Sequence, residues 1–169
     1  MSLVRIVPPA ALAFAILAVP GLSVRAEGVV AEKALSLDLA QAIAQGALAK
    51  CRADGYHVSI TVVDRDGLVK AAMRDEGSGP HTIDTSRRKA FTAVTFKATS
   101  ADWAKRVLAA DPAIAGLKDT WGTIALAGGV PIKAGAEVIG AIGVSGAPGG
   151  EKDEACAKAG IDKAAASLQ

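Results

Sequence analysis

Aromatic residues, histidines and cysteines are all scarce in this chain of 169 residues. Only 4% of the residues are aromatic, and there are two histidines and two cysteines. The two histidines, His57 and His81, are therefore the only candidates for imidazole chemistry near neutral pH. With so few large side chains, we expect a core of small aliphatic residues and helices that pack closely.

The amino-terminal segment 1–26 contains no acidic residue. It carries Arg5, an apolar run over 10–19 and the small-residue site VRA, which is the pattern of a secretory signal peptide cleaved before Glu27. The apolar run is too short and too close to proline to read as a membrane span. We therefore expect a periplasmic or secreted protein with no membrane span after cleavage. Its mature part, 27–169, should form a single domain.

The mature part also lacks net charge. Of the 19 basic residues, Arg5 and Arg25 lie in the signal segment, which leaves 17 basic residues against 17 acidic ones. A domain that binds nucleic acid carries a basic stripe, so we expect no nucleic acid as a partner. A core rich in alanine and glycine buries little area per residue, and self-association is one way to add burial.

The two cysteines lie on the apolar stripes of two predicted helices. Cys51 ends the stripe of a helix over 36–53, and Cys156 belongs to the last helix of the chain, which opens near Asp153. If these helices pack side by side, a disulfide would close a loop of roughly 100 residues and contribute about 4 kcal/mol in the loop-entropy model. A pair of buried thiols is the alternative.

Alternation of apolar and polar residues predicts five strands. The first two, 57–63 and 68–74, join through an Asp-Gly turn, and the last two, 130–133 and 137–145, form a second hairpin. A short strand over 123–127 completes the set. Because hairpins dominate, we expect an α+β domain with a mostly antiparallel five-stranded sheet covered by helices. Glycines at every third position of the last strand predict close approach by a helix or a ligand.

The stretch GPHTIDTSRRKAFTAVTFK, residues 79–97, combines a Gly-Pro turn, a histidine and a helix that carries three adjacent cations. Arg87 and Arg88 fall in the first turns of this helix, where the helix dipole is already positive and a cation gains little stability. An anion bound there would meet free backbone N–H groups and guanidinium groups together. His81, one residue outside the helix, would face the same molecule.

Several stretches together resemble a known family. In order, ITVVDRDGLVKAAMRDEG, RKAFTAVTF after the His81 turn, GGVPI, EVIGAIGVSG and DEACAKAGI are similar to the GlcG/HbpS-like haem-binding (haem-degrading) proteins. The carboxy-terminal domain of PduO-type cobalamin adenosyltransferases is similar as well. The resemblance covers nearly all of the mature chain. It implies a profilin-like or PAS-like sandwich, assembly into dimers or octamers, and haem or another tetrapyrrole as ligand.

In a haem protein of this kind, His81 is the candidate axial ligand of the metal, because imidazole nitrogen binds iron well. The arginine pair would hold the propionates and an aromatic ring would wall the macrocycle. The predicted cofactor-binding residues are therefore His81, Thr82, Arg87, Arg88 and Phe91. Without the resemblance, a loop histidine bonded to a neighbouring carbonyl is the simpler interpretation. His57, at a strand end, is interpreted as a surface residue.

Three functions are consistent with these residues. The first is an exported haem-binding protein that acts in transport, sensing or protection against iron chemistry. The second is a small enzyme acting on an anionic organic acid, with His81 as general base and the arginine pair as a carboxylate clamp. The third is an oligomeric scaffold without a small ligand, in which side chains fill the space beside His81. Hydrolase chemistry at Ser145 is disfavoured because the G-x-S-x-G pattern is broken.

Overall fold

A four-stranded antiparallel sheet separates two layers of helices. The structure, a computed structural model, describes residues 28–169, so the predicted signal peptide over 1–26 lies outside the described residues. In chain order the elements are α1 (Leu37–Ala53), β1 (Ser59–Asp64), β2 (Val69–Arg74), α2 (Thr82–Phe96), α3 (Ser100–Leu108), β3 (Gly129–Ala134), β4 (Glu137–Ser145) and α4 (Gly150–Lys163). The strand order is β2-β1-β4-β3, and every neighbouring pair is antiparallel. The predicted α+β class and antiparallel sheet are confirmed.

The prediction of a fifth strand over 123–127 is wrong. The Ile124 N–H donates to the hydroxyl of Thr92 at 2.8 Å, and Arg88 donates to the Thr123 carbonyl at 2.7 Å. Both partners belong to α2. Because side chains of a helix already bind backbone groups of this segment, the segment runs along α2 as a loop and joins no strand.

The larger core lies between one face of the sheet and helices α1 and α4. Alternate strand residues such as Ile60, Val62 and Ile142 are fully buried there. The two helices touch closely, since a Cβ added at Gly160 would lie 2.9 Å from the backbone nitrogen of Ala47. A disulfide joins Cys51 to Cys156, whose Cα atoms are 5.5 Å apart, so the side-by-side packing that a bridge requires is present.

Helix α2 covers the other face of the sheet. A Cβ added at Gly143 would lie 2.6 Å from the backbone nitrogen of Ala90, so the bare face of β4 is occupied by this helix. Two hydroxyl pairs fix the helix against β1: Ser59 with Thr82 at 2.7 Å and Thr61 with Ser86 at 2.8 Å. These pairs hold the start of α2 at the end of the sheet.

Within residues 28–169, no helix combines the length and the hydrophobicity that a membrane span requires.

Candidate functional site

A cleft of about 540 Å³ lies at one end of the sheet. Ser59 begins β1 and is paired with Ser145, the last residue of β4, so the first residue of one strand and the last of the other meet here. The starts of α2 and α4 border the same cleft, because Thr82 and Gly150 both line it. The fold thus brings two strand ends and two helix N-termini to one opening.

His81 lines this cleft from the residue before the first turn of α2. Its imidazole lies against the loop backbone, since a Cβ added at Gly79 would be 2.9 Å from the His81 Cε1 atom. The next residue, Thr82, is buried and bonds the Gly79 carbonyl at 2.7 Å and the Ser59 hydroxyl at 2.7 Å. Hydroxyl pairing therefore fixes the helix start, while the His81 ring remains exposed at the cleft.

His57 also lines the cleft, which the sequence did not reveal. We call His57, Asp75 and Arg52 the rim cluster. The His57 Nδ1 atom lies 3.3 Å from a carboxylate oxygen of Asp75, and the Arg52 Nε atom lies 3.1 Å from both oxygens of that carboxylate. The hydrogen bond from Arg52 holds the pKa of Asp75 well below its ordinary value, against the opposing effect of burial. The carboxylate is therefore ionised and can orient the imidazole.

A buried ion pair also lines the cleft. Lys89 and Asp153, which we call the floor pair, approach to 2.7 Å between Nζ and Oδ2, and each side chain is only 4% exposed. Lys89 also donates to the Val144 carbonyl at 3.0 Å, and Asp153 accepts the Ala147 N–H at 3.0 Å. Burial raises the pKa of Asp153, although the neighbouring ammonium opposes that shift.

The other predicted site residues lie outside the lining of this cleft. Arg87 donates to Asp84 at 2.9 Å and borders a separate shallow groove beside β2. Arg88 reaches away to the Thr123 carbonyl. Phe91 packs against two turn glycines, since Cβ atoms added at Gly67 and Gly122 would lie 2.7 and 3.3 Å from its ring. The structure therefore brings together His81 and Thr82, but it does not bring the two arginines or the phenylalanine to them.

Two histidines line the cleft, but the described residues form no preformed set of metal ligands there. Among the described residues, no group of three or more histidine, cysteine, aspartate or glutamate side chains could hold a metal ion. Each histidine can offer one nitrogen to a metal that a cofactor already holds by other ligands, as haem does.

The family model described as haem-degrading protein HbpS-like matches residues 35–162. A comparison with curated proteins finds no match.

Three solved structures illustrate the range of similarity. A Streptomyces reticuli HbpS double mutant is 39% identical, with a TM-score of 0.75, and the match covers 86% of this chain and 97% of that one. The Klebsiella pneumoniae protein ORFY is 27% identical, with a TM-score of 0.76 and coverage of 84% and 98%. A PduOC:heme complex, at 22% identity and a TM-score of 0.69, covers 78% and 95% and shares the fold.

The family match covers residues 35–162, which is most of the chain, and these residues include all four strands of the sheet, both cysteines of the disulfide and His81. The HbpS structure exceeds 30% identity over nearly its whole length. This chain therefore belongs to the HbpS-like family of haem-degrading proteins.

Proposed function

We propose that this protein binds haem in the cleft beside His81. The observation that carries the proposal is an open cleft of about 540 Å³, lined by two histidines, in a chain of the HbpS-like family. Cofactor sites are concave, largely preformed and typically 300–1,000 Å³ in volume. The scaffold hypothesis required side chains to fill this space, and the open cleft argues against it.

The residues of the cleft suit an amphipathic ring with an iron centre. Leu126, Ala127 and Ala147 give it an apolar wall. The His81 ring has no hydrogen-bond partner within residues 28–169. Its Cε1 and Nδ1 atoms lie against Gly79, which leaves Nε2 as the nitrogen to bind iron. Haem would supply redox chemistry at its iron, and the protein would supply the axial ligand and the apolar surroundings that tune it. Thr82 stays a weaker candidate for an oxygen ligand, because its hydroxyl already pairs with Ser59 and with the Gly79 carbonyl.

The proposed roles of Arg87, Arg88 and Phe91 stay predictions. Their side chains contact other parts of the protein, so a role in haem binding would require them to leave those contacts. One similar structure is named as a heme complex, that of PduOC, and this supports the choice of ligand.

Export and self-association complete the proposal. We propose a periplasmic or secreted protein that acts in haem transport, sensing or protection. The Cys51–Cys156 disulfide supports an oxidising compartment. Trp121 and Leu108 are 82% and 84% exposed and are candidates for subunit contact in the predicted homo-oligomer. Light scattering on the purified mature protein measures the oligomer, with a dimer or an octamer expected.

Hemin titration followed in the Soret band tests the function. We expect saturable binding by the wild-type protein, and a shifted Soret maximum with at least about tenfold weaker binding in His81→Ala. His57→Ala, the same change at the other cleft histidine, is the matched control and should keep the Soret position. A shift in His57→Ala instead would make the His81 assignment wrong.

The absence of any saturable Soret band in the wild-type protein would contradict haem binding itself. The enzyme hypothesis would then be favoured by turnover of an organic acid that rises through a pKa near that of imidazole, about 6.5. A protein that acts in this way would bind no haem and would therefore show no absorbance in the visible range.

A further inference from the structure

The floor pair has no evident value for stability alone. Both side chains are 4% exposed, and both border the cleft. Burying an ion pair costs desolvation, and apolar residues of similar volume are often as stable or more stable. Most of the surrounding core consists of small aliphatic residues that carry no such cost. A charged pair that faces a ligand cleft is therefore a candidate for binding.

One N–H group of the Lys89 ammonium has no acceptor among the described residues. A lysine ammonium carries three N–H groups. Two of them have acceptors, the Val144 carbonyl at 3.0 Å and the Asp153 carboxylate at 2.7 Å. The second carboxylate oxygen of Asp153 is held by the Ala147 N–H. Among the described residues no acceptor takes the third N–H, and Lys89 is one of the residues that line the cleft.

The backbone packs tightly over this pair. A Cβ added at Gly128, where φ is +121°, would lie 2.9 Å from the Lys89 Nζ atom and 2.8 Å from the Asp153 Cβ atom. The glycine therefore lets the loop cross the pair at contact distance. The ammonium is held in place and cannot swing freely, which reduces the entropy lost when it binds a ligand.

We infer that Lys89 binds a carboxylate of the cleft's ligand and that Asp153 positions the ammonium for it. The inference rests on the proposed function, in which that carboxylate is a haem propionate. Among the described residues that line the cleft, Lys89 is the only lysine or arginine. Arg87 and Arg88 form hydrogen bonds outside the cleft. A charge-assisted hydrogen bond to a fixed ammonium is stronger than a neutral one. The ligand class is a planar apolar molecule with a carboxylate side chain.

The first test compares the affinities of the wild-type protein for hemin and for hemin dimethyl ester, which lacks the free carboxylates. We expect the ester to bind about tenfold or more weakly, because a hydrogen bond to a charged group is lost. The Soret position should be the same for both, since the axial ligand does not change. Equal affinities for hemin and ester overturn the inference and leave haem binding intact. Binding of neither molecule overturns the proposed function and the inference with it.

Three variants assign the effect to the floor pair. Lys89→Met with Asp153→Asn removes both charges and keeps an acceptor for Ala147, so it should bind hemin as weakly as ester. Asp153→Asn alone keeps a side-chain oxygen that can position the ammonium but removes the negative charge that competes with the ligand carboxylate, so it should raise the preference for hemin over ester. Lys133→Met makes the same lysine-to-methionine change at an exposed position of β3 outside the cleft lining, and it should keep the wild-type preference.

The outcomes of these variants are decisive without reference to activity. Circular dichroism checks that each variant is folded, and if the double variant unfolds, the Asp153→Asn variant alone still decides. A preference for hemin that is unchanged in Asp153→Asn, or that is lost in Lys133→Met, overturns the assignment to Lys89.

Discussion

The rim cluster and the floor pair present two buried carboxylates with opposite behaviour. The side chains of Asp75 and Asp153 are 2% and 4% exposed, and each is paired with a cation. Yet the pKa of Asp75 lies below its ordinary value, and that of Asp153 lies above it. Burial and the presence of a partner therefore do not decide whether a carboxylate is easily ionised.

The difference comes from the partners. Arg52 offers a planar guanidinium to both oxygens of Asp75, and the Glu76 N–H adds a third donor at 3.1 Å. Arg52 is itself 53% exposed, so its own charge remains hydrated. At the floor, Lys89 is as buried as Asp153, and both charges have lost their water. Desolvation then outweighs the attraction between them.

This contrast separates two kinds of charged group beside one cleft. The rim cluster stabilises the ionised state of its carboxylate and thereby orients His57. The floor pair is costly, which is the usual mark of a group that is kept for binding or chemistry. The variants below test whether the two groups differ as the contrast requires.

The largest expected effect is that of Lys89→Met alone. It leaves the Asp153 carboxylate buried without a cation, which costs about 4 kcal/mol in the free energy of unfolding. Adding Asp153→Asn removes the unpaired charge and should recover more than half of that loss. Urea unfolding of both variants measures the difference. If the single variant loses no more than about 1 kcal/mol, the floor pair is not the costly group described here.

Sequence reasoning predicted helices α1, α2 and α4, the two hairpins and the place of His81, because these depend on local periodicity and turn residues. It missed the floor pair because three adjacent cations were interpreted together. The useful signal was a charge on each of two buried stripes: Lys89 falls beside Ser86 and Ala93, and Asp153 falls three residues before Cys156. Only the tertiary structure shows that these two charges meet.

The cleft position of His57 was missed, and the fifth strand was wrongly predicted, for similar reasons. Nothing local in the sequence shows that Arg52, 23 residues before Asp75, holds the carboxylate beside His57. Likewise, the segment 123–127 has the composition of a strand, but its backbone groups form hydrogen bonds with the side chains of Thr92 and Arg88 in α2 instead of with a neighbouring strand. Contacts between side chains and distant backbone are not encoded in periodicity.

The disulfide offers a second, smaller test, because it links the two groups. Cys51 precedes Arg52 of the rim cluster in α1, and Cys156 follows Asp153 of the floor pair in α4. Replacing both cysteines by alanine should cost about 3 kcal/mol, somewhat less than the loop-entropy model gives, because an unfolded chain that retains some structure gains less freedom when the bridge is removed. Urea unfolding with and without reductant measures this, and reductant should change the wild-type protein but not the variant. A wild-type protein that is insensitive to reductant would contradict the bridge.

The smallest effect is expected for Asp75→Asn, and its pH dependence is the sharpest test of the contrast. Since the native pKa of Asp75 lies below the ordinary value of 3.8, the unfolded chain takes up this proton first as the pH falls. The stabilisation is thus complete above that value and is lost on acidification. Asp75→Asn should therefore be less stable by about 1–2 kcal/mol at pH 7, and the gap should close as the pH falls below 3.8.

Asp153→Asn is the matched comparison, because the native pKa of Asp153 lies above 3.8 and the linkage changes sign. There the native state holds the proton longer, so the wild-type protein loses stability relative to the variant as the pH rises above 3.8. Thermal unfolding of the wild-type protein and both variants between acidic and neutral pH gives the two slopes. Slopes of the same sign would mean that the two carboxylates share one environment. We expect slopes of opposite sign, because the cation beside Asp75 is hydrated whereas the cation beside Asp153 is desolvated.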